Sequence, residues 1–223
     1  MRLHRASQGV KLFSTDELRR MIDAAGVPLK AMILLEMNCG FGNGDVGNLP
    51  MHALDLDGGW IDYPRPKTGV NRRSPLWPET VQALREALAD RPRPRSEDHA
   101  GLVFITKFGG PWAKDTPDST LSKEMRKLLD RLGINGDRSF YTLRNTFRTV
   151  GDEAKDQPAI DFLMGHAAND MASAYREKIS DERLRAVVDH VHGWLFAAPK
   201  AVDEPEAGEP EVAVPAPAED SEA

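Results

Sequence analysis

With 223 residues, 40% of them hydrophobic, the chain is long enough to bury one substantial core, and a single compact domain is the default expectation. The net charge of -6 looks adverse to a nucleic-acid ligand, but eight of the 35 acids and one lysine fall in 197–223, leaving 28 basic against 27 acidic residues before it. The lone cysteine, Cys39, excludes an intrachain disulfide and gives no sign of an oxidising compartment, so the cytoplasm fits best.

Residues 1–11 read as an N-terminal arm without the apolar stretch of a secretion signal, and no run approaches the roughly 18 apolar residues of a membrane helix. Ser14-Thr15-Asp16-Glu17 is a capping box, which predicts a helix over 15–25. Pro28 opens a second, apolar helix through Met37, because a first turn does not use the missing N–H. Gly40, Gly42, Gly44 and Gly47 then break regular structure. From Leu54 to Leu76 short alternating runs are separated by Asp57-Gly58-Gly59 and Lys67-Thr68-Gly69, hairpin chemistry that predicts two or three antiparallel strands.

Helical spacing returns over 78–89 and ends in the extended loop 91–95, and Leu102-Val103-Phe104-Ile105 reads as one more short strand. Beyond Pro117 the periodicity predicts helices over 121–132, 142–154, 159–165, 171–176 and 181–196. The fold class is mainly α with a small antiparallel β-sheet, an α+β domain spanning 12–196. Residues 197–223 hold Pro, Ala, Glu and Asp with no aromatic side chain, so they are expected as a disordered acidic tail.

Chemistry-bearing residues stand at telling intervals. Thr142-Leu143-Arg144-Asn145-Thr146-Phe147 precedes Leu163-Met164-Gly165-His166 by about twenty residues, and Tyr175 follows His166 by nine. Upstream, Pro66-Lys67-Thr68-Gly69 runs into Arg72-Arg73-Ser74-Pro75-Leu76. Together these segments resemble the catalytic domain of the tyrosine recombinase (phage integrase) family, over about Leu12 to Phe196. The resemblance implies that Tyr175 is a nucleophile forming a 3′-phosphotyrosine with DNA. It further implies that Arg144 binds the scissile phosphate, that His166 donates to a phosphate oxygen or acts as general acid/base, and that Lys67 protonates the leaving hydroxyl.

The chain departs from that family at named positions. Gly42 stands where the family has its first arginine, Tyr141 where box two has its first histidine, and Asn145 follows Arg144 where a second histidine is common. The family's N-terminal core-binding domain is not expected within this sequence. The missing arginine matters because a phosphodiester under attack gathers negative charge that two guanidiniums hold through paired hydrogen bonds. Losing one such donor costs roughly 10²- to 10³-fold in rate.

Plainer readings compete at each position. Arg144 alone would be a solvated or ion-paired helix residue, His166 a helix cap, Tyr175 a half-buried aromatic and Lys67 part of an ordinary turn. The glycine-rich stretch lacks the Gly-Lys-Ser/Thr ending of a phosphate loop, and His190 and His192 share no helix face, so neither nucleotide, metal nor other cofactor is expected. Leu184, Val187, Val188, Val191 and Leu195 form a helical stripe for the core or, alternatively, for a neighbouring protomer.

Arg65, Lys67, Arg72 and Arg73 lie within nine residues without an acid, and a second basic run extends from Lys123 to Arg148. Arg65, Arg72, Arg73 and Arg148 are therefore candidate phosphate contacts. The expected partner is double-stranded DNA, with a second copy or a partner recombinase on it and no membrane. Three functions stay open: a strand-cleaving and rejoining recombinase weakened at Gly42, an inactive DNA-binding or regulatory module of the same fold, and a helical protein-interaction domain.

Overall fold

The computed structural model describes residues 11–113, 119–166 and 179–198. The expected helix over 171–176 with Tyr175, almost all of the arm and the tail from Pro199 onward lie outside those residues.

Helix α1, Thr15–Ala24, starts as the sequence predicts: the Ser14 hydroxyl accepts from the Glu17 N–H at 3.2 Å and Glu17 accepts from the Ser14 N–H at 3.0 Å. It buries Leu18, Met21 and Ile22. Helix α2, Val27–Cys39, carries Pro28 in its first turn and is buried continuously from Ala31 to Cys39. A helix buried on all sides, its Glu36 and Asn38 included, belongs in the middle of a domain. The others surround α2: α4 (Pro78–Ala89), α5 (Thr120–Arg131), α6 (Phe140–Asp152) and α8 (Asp181–Phe196) all contact it, as does α1.

The glycine-rich segment does more than break the chain. Residues Asn43–Gly47 form the short helix α3, because the Asp45 carboxylate accepts the Gly42 N–H at 3.0 Å and so caps it. The sheet has three antiparallel strands in sequence order, β1 (Leu54–Asp55), β2 (Trp60–Asp62) and β3 (Arg73–Pro75), with Ile61 opposite both Leu54 and Ser74. The predicted strand over 102–105 is reduced to single bridges, Leu102 with Pro50 and Ile105 with Pro111. Its apolar residues Val103, Phe104 and Ile105 are buried all the same, and core burial alone produced the strand-like pattern.

Helix α7, Gln157–Met164, is capped by Asp156, which accepts from the Ala159 N–H at 3.1 Å. On α8 the stripe Leu184, Val187, Val188, Val191 and Leu195 is buried within this chain against its neighbours. Among the described residues no helix is long and apolar enough to cross a membrane.

Gly40 ends α2 in the left-handed region at φ 62°, and a Cβ there would stand 2.4 Å from Phe147 Cδ1 on α6. Gly40→Ala combines left-handed strain with overpacking, so it should lower stability by about 2 kcal/mol or more in urea denaturation. A loss under about 0.5 kcal/mol, the size of an ordinary surface change, would mean that the close approach of α2 and α6 is not needed.

Candidate active site

Arg144 sits in the middle of α6 and is 1% exposed. Its Nη1 donates to the Gly40 carbonyl and its Nη2 to the Met164 carbonyl at 2.9 Å, so one guanidinium closes the C-terminal ends of α2 and α7. Those ends carry unpaired carbonyls and the negative pole of the helix dipole, which favour a cation.

Nη2 also lies 3.1 Å from His166 Nε2. A guanidinium can only donate, so Nε2 accepts and the ring proton is on Nδ1. That Nδ1 lies 3.0 Å from Asp161 Oδ1, to which it donates. The same carboxylate accepts from Arg148 Nη1 at 2.7 Å and from Gln157 at 2.8 Å. A relay therefore runs from Arg148 through Asp161 and His166 to Arg144. Gly165 turns the chain at the end of α7 with φ 63°, and this turn brings His166 back onto its own helix.

The hairpin formed by β2 and β3 continues beyond the strands. Tyr63 N–H donates to the Arg72 carbonyl and Arg65 N–H to that of Val70, which leaves Lys67 exposed at the tip. Arg65 Nη1 and Thr68 Oγ1 donate to the Gly165 carbonyl at 3.3 and 3.1 Å, so the hairpin is fastened to the turn beside His166. Arg72 is buried: Nε donates to the Tyr63 carbonyl at 2.9 Å, Nη1 to Asp45 Oδ2 at 3.0 Å, and its Cζ stands 4.2 Å from the centroid of Phe41.

Gly42 keeps ordinary backbone at φ -102°, and the direction its side chain would take faces Asp45 Oδ2 at 3.6 Å and Arg144 Cδ at 3.9 Å. Arg73 stacks on Trp60 at 4.2 Å and pairs with Asp181 at 3.7 Å, and Arg148 pairs with Asp152 as well as Asp161. Tyr141 and Asn145 are exposed on α6. The structure thus brings Arg144, His166, Arg65 and Arg72 together, puts Lys67 on the adjoining hairpin tip, and leaves Tyr175 outside the described residues.

The local charge favours an anion. Burial and then the neighbouring Arg65 charge pull Arg144 below the ordinary arginine value, against Tyr141, Asp45 and Glu36. Glu36 is fully buried on α2, and burial pushes its carboxyl well above the usual range, so it favours the neutral form and withholds a counter-charge. Asp45 is then the main acid facing Arg72 and Arg144. Among the described residues no group of three or more His, Cys, Asp and Glu side chains is placed to hold a metal.

Asp161, Asp45, Glu36 and Thr68 were not singled out from the sequence. Asp45 carried the one usable signal, an acid in the first turn after the gap at Gly42. Asp161 had none, because its pairing with His166 exists only through the left-handed turn at Gly165.

The phage integrase family model matches residues 9–182. Tyrosine recombinase XerD of Corynebacterium glutamicum is 29% identical over 137 residues, covering 60% of this chain and 41% of that protein. Among solved structures, XerA recombinase is similar with a TM-score of 0.60 at 23% identity over 78% of this chain and 62% of that one. The Tn1549 transposon integrase in complex with a circular intermediate DNA gives 0.62 at 15% identity, covering 82% and 66%. XerH recombinase bound to its difH substrate gives 0.58 at 18%, covering 78% and 52%. The chain thus spans less than half of the XerD relative and about two thirds or less of the others.

Burial would raise the Asp161 carboxyl, but hydrogen bonds from Gln157, His166 and Arg148 outweigh it and hold it below its ordinary value. A depressed folded value stabilises the fold fully above the unfolded pKa of about 3.9 and is lost as pH falls through the folded one. Asp161→Asn should therefore be less stable than the native chain at pH 7, with the difference shrinking below about pH 4 in denaturant titrations at stepped pH. A difference independent of pH would contradict the ion-paired relay.

Proposed function

The chain belongs to the phage integrase family, and we propose that it binds duplex DNA and cleaves and rejoins one strand at a time through Tyr175. The observation that carries this reading is the convergence of Arg144, His166 and the Arg65–Thr68 edge of the hairpin on the single turn at Gly165. Buried cations with one main counter-acid make a seat for a phosphate, and the exposed Lys67 stands at its mouth on the hairpin tip.

In this reading Tyr175 Oη attacks phosphorus, the new O–P bond gives a 3′-phosphotyrosine, and the P–O5′ bond breaks. Lys67 supplies the proton to the departing 5′-oxygen, Arg144 holds the non-bridging oxygens, and His166, acting as general base through the Nε2 lone pair it otherwise offers to Arg144, takes the Tyr175 proton. The covalent link keeps the phosphodiester energy, so attack by a 5′-hydroxyl reverses the step without a nucleotide. Arg144 has N–H groups beyond those given to Gly40, Met164 and His166, and these are free for phosphate.

DNA contact is assigned to Lys67, Arg65 and Arg73 on the hairpin and to Arg148 on α6. Arg73 and Arg148 would exchange Asp181, Asp152 and Asp161 for phosphate oxygens, which makes binding strongly salt-dependent. The working unit is 12–196, between an arm and an acidic tail, in a cytoplasmic protein that meets a second copy or a partner recombinase on DNA.

On a nicked suicide substrate, where the released fragment cannot return, the native chain should accumulate a covalent protein–DNA adduct visible in a denaturing gel. Tyr175→Phe should abolish it and change DNA affinity no more than a few-fold, because only the nucleophilic oxygen is removed. No adduct from the native chain on a DNA that it binds would favour the inactive binding module instead. Deleting 199–223 should tighten DNA binding at low salt and leave the Tm nearly unchanged, since that segment carries a strong negative charge and no aromatic side chain. A drop in Tm would show that it docks on the domain.

A further inference from the structure

We propose that Arg72 is the second guanidinium of the phosphate seat, serving in place of the side chain that Gly42 lacks. The proposal rests on reading the Arg144–His166 cluster as a phosphate seat. Gly42 removes a side chain from a position whose backbone would accept any residue, φ being -102°, and the opening it leaves faces Asp45 and Arg144. Asp45 Oδ2 receives the Gly42 N–H at 3.0 Å on one side and Arg72 Nη1 at 3.0 Å on the other. The guanidinium of Arg72 is thus one carboxylate oxygen away from residue 42.

Its other side reaches the opposite wall. The Arg72 stem crosses Gly165 so closely that a Cβ there would stand 2.6 Å from Arg72 Cδ. Arg72 therefore spans from the Gly165 turn, next to His166, to the gap beside Arg144. Of the other candidates, Arg148 is held by Asp152 and Asp161, and Arg65 is half-buried and tied to the Gly165 carbonyl.

A further observation points to a ligand. Arg72 is 3% exposed, yet its Nη2 is buried with no hydrogen-bond partner. Buried donors of charged groups are rarely left unpaired without a role, and an unpaired guanidinium nitrogen on the carboxylate that also faces Arg144 asks for an anion. Tyr63 O and Asp45 hold the other two nitrogens, and the Phe41 ring lies under the plane, so the free nitrogen is preorganised. Arg65, whose stem runs beside that of Arg72 across Gly165 and which is tied by one long 3.3 Å bond, is the side chain that moves aside as phosphate enters.

Two readouts test this: adduct formation on the nicked suicide substrate, and the rise in Tm caused by inorganic phosphate, which reports anion binding without catalysis. Arg72→Lys keeps the charge and loses the fork. It should fold, bind DNA within a few-fold, form adduct about 10²- to 10³-fold more slowly and lose most of the phosphate-induced rise in Tm. Should Arg72→Met fail to fold because Asp45 is left unpaired, the double variant Gly42→Arg/Arg72→Met brings a guanidinium to Asp45 from the other wall. That double variant should be folded and form adduct at least ten-fold faster than Arg72→Lys.

A folded Arg72→Lys with native adduct rate and native phosphate response overturns the assignment, as does a ten-fold or greater gain from Gly42→Arg alone, since the seat would then have been vacant. The two proposals fail separately. A native chain that forms no adduct but shows an Arg72-dependent phosphate response sinks strand cleavage and keeps Arg72 as the phosphate ligand. An adduct that does not depend on Arg72 sinks only this assignment, and the absence of both adduct and phosphate response sinks both.

Discussion

One buried cation holds the site together. Arg144 donates to the last carbonyls of α2 and α7, elements that both pack on α6, α8 and β3, and it does so where both helix dipoles are negative. A residue with a long, forked and permanently charged head is the side chain that can reach both ends at once. Because α2 is the central helix, this contact sets the site against the core of the domain and not on a surface loop. Phosphate-binding geometry held within a fraction of an ångström requires that kind of support.

The two glycines at these helix ends follow from the same requirement. Gly40 lets α2 end against Phe147, and Gly165 lets α7 end against Arg65 and Arg72, each in a left-handed conformation that a side chain would strain and a close approach that a Cβ would block. The helix ends thereby come near enough for one guanidinium to serve both, and the hairpin comes near enough to put Thr68 and Arg65 on the Gly165 carbonyl.

Charge around the site is unevenly matched in a way that suits an anionic ligand. Arg148 is paired twice and acts inward through Asp161 on His166, so its role in the free protein is to orient. Arg72 and Arg144 share mainly Asp45, because burial drives Glu36 toward its neutral form. An excess of buried positive charge is costly in the free protein, and an anion at the proposed phosphate seat would relieve it.

Much of this was legible from residue order. The capping box at Ser14, the proline start of α2, the hairpin turns at Asp57-Gly58-Gly59 and Lys67-Thr68-Gly69, and the apolar stripe of α8 are local or periodic signals. They specify elements because backbone hydrogen bonding and one-sided burial act over a few residues. The spacing of Arg144, Gly165, His166 and Tyr175 likewise carried the family resemblance. What the order of residues could not decide was pairing at a distance. The strand pattern over 102–105 was burial without a ladder, a distinction set by which neighbour lies alongside. The sequence offered Arg72 as a phosphate contact but not its burial, which packing decided, and Asp161 carried no signal at all. Those outcomes depend on where separate helix ends and one hairpin meet in space, and that meeting was decided by the packing around α2, because only tertiary contact chooses which buried charge faces which.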